Sequence, residues 1–216
     1  MRLSKRIYAL ADSVVKGHTA ADIGTDHGYV PMLLIRDGIS PRVIMSDISE
    51  ASLAKAVGTF TQCGLIDRVS PDDFRTGDGL ETIQHGEVDD IIIGGLGGHT
   101  IADILAADPS RSRSFSRLIL QPRKHSGALR YWLCSNGWDI ISEQLAEEGK
   151  FACEIITAVP AVESGREDRV SALLPDTSCS PKCFRPAILR HIERFMVAQD
   201  RAGCRRGLQQ LLCADH

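Results

Sequence analysis

The chain predicts an α/β fold: a mostly parallel sheet with helices on both faces, closed by a β-hairpin and followed by a small helical appendage. Three features lead there. Short apolar runs alternate with helix-period segments about five times, the order that builds a parallel sheet. The strongest run, Ile91–Ile93, has no polar residue inside it, as expected of a strand covered on both faces. The segments that follow the first four strands carry glycine, acid or both, and ligands of open α/β sheets bind at the carboxyl ends of strands.

In order, Leu3, Ile7, Leu10, Ala11 and Val14 recur at helical spacing, so residues 3–16 read as an amphipathic helix closed by Lys16-Gly17. Thr19–Ile23 is the first strand. Tyr29–Asp37 is the first crossover helix, with Pro31 tolerated in its opening turn. Arg42–Met45 is the second strand and Glu50–Gly64 the second crossover helix. Val69–Phe74 gives a weak strand signal; Thr76–Leu80 is a loop, and a short helix runs on to Gln84. Ile91–Ile93 enters Gly94-Gly95-Leu96-Gly97-Gly98, and a helix follows over His99–Ala107. Ser116–Gln121 is the fifth strand and Gly127–Ser135 a helix. Trp138–Leu145 and Phe151–Val159 alternate apolar and polar residues around Glu147–Lys150, which reads as a hairpin. Residues 161–181, rich in Ser, Pro and charge, form a linker. Pro186–Ala202 and Arg205–Leu212 read as two further helices.

The totals exclude several classes. The N-terminus is too charged for a signal peptide, and no apolar window reaches the ~18 residues of a membrane span. Seven scattered cysteines, an odd number, fit a reduced cytoplasmic protein. Cys179 and Cys183 are the only close pair and lack the partners of a zinc site, so no metal is expected. The net charge of −3 disfavours nucleic acid, but its distribution does not. Residues 109–138 carry Arg111, Arg113, Arg117, Arg123, Lys124 and Arg130 with no acid, and residues 182–206 are also strongly basic.

The chemistry concentrates in Ala21–Pro31, ADIGTDHGYVP. A strand, a glycine turn and a helix start make a cradle where backbone approaches a ligand closely. It is not a dinucleotide fingerprint, because Asp26 and Tyr29 stand where glycines would be needed. Asp22 and Asp26 would repel a pyrophosphate and welcome a cation or an amine. S-adenosylmethionine carries both, as sulfonium and ammonium. Asp47, after the second strand, stands near the spacing at which an acid meets a ribose. Asp78, between Gly77 and Gly79, can accept from an adenine amine. The Gly94–Gly98 run falls where substrate meets cofactor, and Tyr29 can stack on a flat ring. Each feature has a bland alternative: a helix cap for Asp47, an Asp-Gly turn for Asp78, a tight turn for the glycines, core packing for Tyr29. Their order matches a Rossmann-like class I methyltransferase.

The chain more closely resembles the bacterial tRNA (adenine-22-N1)-methyltransferases of the TrmK family. The resemblance spans about residues 3–160 and rests on LSKRI, ADIGTDHGYVP, GDGL, IIIGGLGGHTI, LILQP, LRYWL, NGWDI and EEGKF in that order. It departs at Leu96, where the family has Met, and at Arg123, where it has Asn. The resemblance implies a methyltransferase domain over 1–160 and a helical region over 161–216. It implies S-adenosyl-L-methionine as cofactor, held by Asp22, Gly24, Asp26, His27, Gly28, Asp47, Ile48, Asp78, Gly79, Gly94 and Gly95. Asp26 and Tyr29 are the expected catalytic residues, and Gly97, Gly98, Arg111, Arg113 and Arg123 the expected substrate contacts. The partner implied is tRNA, with no membrane and no metal, and a monomer is the simplest state. A small-molecule methyltransferase and a non-catalytic RNA-binding module are the alternatives.

Overall fold

Ile91, Ile92 and Ile93 are all fully buried, and their alternation sets the layering of the protein. Ile92 packs with α-helical residues on one face of the sheet, while Ile91 and Ile93 pack into a second apolar cluster on the other. The computed structural model describes residues 3–148 and 151–161. The expected linker, the two C-terminal helices and the basic stretch 182–206 lie outside the described residues.

Seven strands form one sheet: β1 (Ala20–Ile23), β2 (Val43–Asp47), β3 (Phe74–Thr76), β4 (Asp90–Gly97), β5 (Arg117–Lys124), β6 (Trp138–Glu148) and β7 (Phe151–Pro160). Their order is β3-β2-β1-β4-β5-β7-β6. The first five are parallel, and β7 runs antiparallel between β5 and β6. The hairpin therefore extends the sheet, as the alternating pattern predicted. Strand order reverses between β1 and β4, and a crevice opens at such a switch point.

One face is covered by α1 (Lys5–Asp12), α2 (Tyr29–Arg36) and α3 (Glu50–Gln62), through residues such as Leu10, Leu33 and Phe60. The other is covered by α4 (Gly98–Ala107) and α6 (Ser126–Ser135), through Ile101, Leu105, Leu129 and Leu133, with the short α5 (Pro109–Ser112) between them. Burial of each such side chain contributes roughly 1.5–3 kcal/mol. Gly28 caps α2 in the left-handed region at φ 66°. A methyl group there would also lie 2.9 Å from Ala56 Cβ, so its lack of a side chain lets α2 start against α3.

Three expectations shift. The third strand starts at Phe74, because Ser70 and Asp73 cap a short 3₁₀ turn at Pro71–Asp73. The short helix expected up to Gln84 is a succession of turns: Glu81 takes the Asp78 amide and Arg75 takes the Thr82 carbonyl. The fourth strand continues through its glycines to Gly97, with register shifts on either side of Leu96 and Gly95 at φ 84°, a bulged end.

Arg130, counted among the basic stretch, is fully buried on the inner side of α6. It is paired with Glu143 of β6, and its Nη1 lies 2.7 Å from Glu154 of β7. Burial raises the Glu143 pKa, with Arg130 opposing the rise and Glu154 adding to it. Removing the one cation strands two buried carboxylates. Arg130→Leu should therefore lose about 3–5 kcal/mol in urea unfolding, and replacing both glutamates by apolar residues as well should recover most of it.

Candidate active site

The loop after β1 is hooked onto the end of β2. Gly24, at φ 76°, and Thr25 both donate their amides to the Ser46 carbonyl, at 2.8 and 3.1 Å. Asp26 follows in the left-handed region at φ 44°, a conformation that costs a side-chain-bearing residue on the order of 1 kcal/mol. That bend aims the Asp26 amide at Asp47 Oδ2, 3.3 Å away, while Ser49 N donates to Asp47 Oδ1 at 2.8 Å. Both Asp47 oxygens are thus fixed by backbone at the lip of the crevice, with lone pairs to spare.

Asp22, on the last turn of the β1 pleat, is only 7% exposed. Thr25 Oγ1 donates to it at 2.8 Å. Burial pushes its pKa up to about 6; the Thr25 hydroxyl and the Arg6 charge oppose this, and Asp47 adds to it. Arg6, with its side chain 16% exposed, reaches over from α1. Its Nε donates to Glu148 at 3.0 Å and its Nη1 to Gln121 Oε1 at 3.3 Å. Gln121 is itself buried, accepts the Gly95 amide at 3.1 Å and donates to the Pro122 carbonyl. One guanidinium thereby ties the first helix, the hairpin and the bulge of β4 together beside a buried carboxylate.

A cavity of about 580 Å³ lies between these elements. Asp22, Gly24, Asp26, His27, Tyr29, Asp47, Ile48, Asp78, Gly79, Gly94, Gly95 and Arg123 all line it, so loops after four different strands converge as the sequence predicted. Ile48 stands 71% exposed at the mouth, an apolar face without a neighbour of its own. Asp26 faces the mouth but is not bare: Lys55 Nζ lies 2.8 Å from one oxygen and His27 Nδ1 2.6 Å from the other. Those contacts, Lys55 foremost, hold its pKa below the ordinary carboxylate value. Tyr29 stacks on His27, with ring centroids 5.2 Å apart.

Five expected residues do not line the cavity. Gly28 faces Ala56, as described. Gly97 and Gly98 lie under Lys124 and His125 of the neighbouring strand end. Arg111 donates to the Leu80 carbonyl and pairs with Asp108, and Arg113 donates to the Asn136 carbonyl. Both arginines clamp loops, because a guanidinium close to free carbonyls satisfies them. Residues that also line the cavity but were not singled out include Arg6, Leu10, Thr25, Thr100 and Ile104. Leu10 and Ile104 fell within expected helices, and Arg6 entered only as part of the LSKRI motif, with no role attached. Among the described residues there is no cluster of His, Cys, Asp or Glu placed to hold a metal, and no helix long and apolar enough to cross a membrane.

Comparison with known proteins places this crevice in context. Residues 3–156 match the family described as Methyltransferase domain. The tRNA (adenine(22)-N(1))-methyltransferase of Bacillus subtilis is 34% identical over 171 residues, 79% of this chain and 71% of that one. The crystal structure of the B. subtilis enzyme, TrmK, superposes with a TM-score of 0.73 at 29% identity, over 100% of this chain and 90% of that one. A Streptococcus pneumoniae protein solved with S-adenosyl-L-methionine gives a TM-score of 0.69 at 31% identity, over 74% of each chain. Mycoplasma capricolum TrmK, solved with S-adenosyl-homocysteine, gives 0.65 at 27%, over 74% of this chain and 70% of that one.

The buried Asp22 has a thermodynamic consequence. Its folded pKa near 6 exceeds the reference of 3.8, so the folded protein holds this proton more tightly than the unfolded chain. Stability is full below the reference pKa and falls as pH rises through about 6. Asp22→Asn should remove that slope and raise stability at pH 7.5 by up to about 3 kcal/mol. Urea midpoints at pH 4.5 and 7.5 check this; equal slopes in both proteins would contradict it.

Proposed function

The chain belongs to the family of bacterial tRNA (adenine-22-N1)-methyltransferases, and from that membership we infer that it transfers a methyl group from S-adenosyl-L-methionine to N1 of an adenine in tRNA. The observation that carries the reading is the buried Asp22 carboxylate with Arg6 beside it in one cavity. The methionyl end of the donor carries an ammonium and a carboxylate, and these two groups complement it. Such a pair suits neither a pyrophosphate nor an uncharged ligand.

The remaining assignments follow the chemistry of each lining group. Asp47, anchored through two backbone amides, accepts from the ribose hydroxyls. Ile48 offers its exposed side chain to a purine face, and Gly79 leaves room for the ring beside Ile104. Asp78, whose side chain makes no hydrogen bond among the described residues, accepts from the exocyclic amine. Gly24, Gly94 and Gly95 let backbone approach the ligand at the floor. The bound donor supplies an electrophilic methyl on a sulfonium.

N1 of adenine already holds an in-plane lone pair at neutral pH, so the protein needs no base to expose it. Positioning can supply as much as ~7–11 kcal/mol when two reactants are held in line. N1 lies on the Watson–Crick edge, so the target base must leave its pair or stack, at a cost of a few kcal/mol. The Tyr29–His27 stack at the mouth offers a ring surface to receive it. The methylated ring is cationic, and the Asp26 carboxylate, held ionised by Lys55 and His27, stabilises charge that develops there.

Incubation with S-adenosylmethionine and unmodified bulk tRNA, followed by nucleoside analysis, should yield 1-methyladenosine. Absence of methylated nucleoside would overturn the reading. Asp26→Asn should lower turnover by about 100-fold, in the range seen for loss of one preorganised charge-stabilising group, with donor affinity within about twofold. Matching losses in turnover and affinity would assign Asp26 to the donor cradle instead.

A further inference from the structure

Of the six cations between residues 109 and 138, Arg111, Arg113 and Arg130 are engaged with carbonyls or carboxylates, and Arg117 opens β5 at its amino end, opposite the end that reaches the cavity. Arg123 and Lys124 are different. They end β5 at the cavity side, both exposed, and neither side chain makes a hydrogen bond or ion pair among the described residues. The glycines of β4 are their bed. A methyl group on Gly95 would sit 3.7 Å from Arg123 Nε, and one on Gly97 3.5 Å from Lys124 Cε, so both stems lie across bare backbone.

The next residue is built in. His125 adopts φ 58°, a left-handed conformation with a side chain attached, and a methyl group on Gly98 would overlap its carbonyl. The end of β5 is thereby pressed onto the start of α4. That contact brings the exposed His99 and His125 rings to 4.7 Å between centroids, tilted by 46°. Two unpaired cations and two open imidazole faces thus line one rim, beginning at the cavity residue Arg123.

We propose that this rim, Arg123, Lys124, His99 and His125, grips the single-stranded RNA segment that flanks the target nucleotide. The inference rests on the tRNA reading above and names the surface that reading lacks. Arg123 and Lys124 neutralise backbone phosphates next to the extruded base. The imidazole pair stacks on a neighbouring base, which suits RNA loops whose bases are splayed outward. The tight packing of the glycine bed means the rim is formed before RNA arrives.

The test reads binding of unmodified bulk tRNA by the full chain across a series of KCl concentrations. Arg123→Gln with Lys124→Gln should flatten the slope of log K against log salt by about 1.4–1.8, the loss of two phosphate contacts. His99→Ala with His125→Gly should leave the slope intact and weaken binding at every salt by about tenfold. Glycine at 125 suits the left-handed backbone, so the ring is removed without added strain. Unchanged affinity and slope in both pairs, or no tRNA binding by the parent protein, would overturn the rim. A parent protein that binds tRNA with these responses yet forms no methylated nucleoside would overturn the catalytic reading alone. Far-ultraviolet circular dichroism and the urea unfolding midpoint report whether each variant has kept its fold.

Discussion

A carboxylate held almost out of water at the end of a central strand is the constraint from which the site is built. Asp22 stands between two ladder partners, β2 and β4, where a hydrophobic residue would pack without penalty. Burial raises its pKa toward neutrality, so its charge is poorly satisfied by the protein alone. Thr25 supplies one hydrogen bond and Arg6 a charge, and the carboxylate otherwise lines the open cavity. Ligand sites are commonly places where stability is given up for function. The surroundings of Asp22 show that pattern: the left-handed Asp26, the bulge at Gly95 and the buried Gln121 all bear on one cavity.

The α1 helix is the counterpart of that constraint. Its apolar side is an ordinary amphipathic stripe of Ile7, Leu10 and Ala11 against the core. Its polar side is joined to the hairpin through Ser4, Lys5 and Arg6, which meet Glu147 and Glu148. Arg6 also reaches Gln121, and through it the amide of Gly95. A helix that precedes the first strand therefore lines the cavity and, through Gln121, is tied to the bulge of β4. The exposed Lys5–Glu147 pair adds little to stability, because surface pairs are screened and entropically costly. The half-buried Arg6–Glu148 contact carries the positioning.

The parts of this arrangement that are local in sequence were legible there. The β1 turn was readable because glycine and aspartate at fixed offsets after an apolar run specify a tight, polar turn. Asp47 and Asp78 followed because each stands at or just past the end of a strand. Contacts that bridge distant residues were not readable. Arg6 meets partners more than a hundred residues away, and nothing in its neighbours signals this. Arg130 and the clamping Arg111 and Arg113 looked like an RNA surface because a charge in sequence does not declare its partner. The glycine run suggests substrate contacts, yet Gly97 and Gly98 accommodate the neighbouring strand end. The third strand moved because a proline and a capping serine–aspartate pair outweighed a short apolar run.

The central claim is that the ionised form of Asp22 is completed by a cationic donor. Calorimetric titration with S-adenosylmethionine at pH 6, in two buffers of different protonation enthalpy, tests it most directly. With a free-state pKa near 6, binding should release about half a proton, and the release should vanish in Asp22→Asn. A binding heat that is independent of buffer at pH 6 would contradict the account.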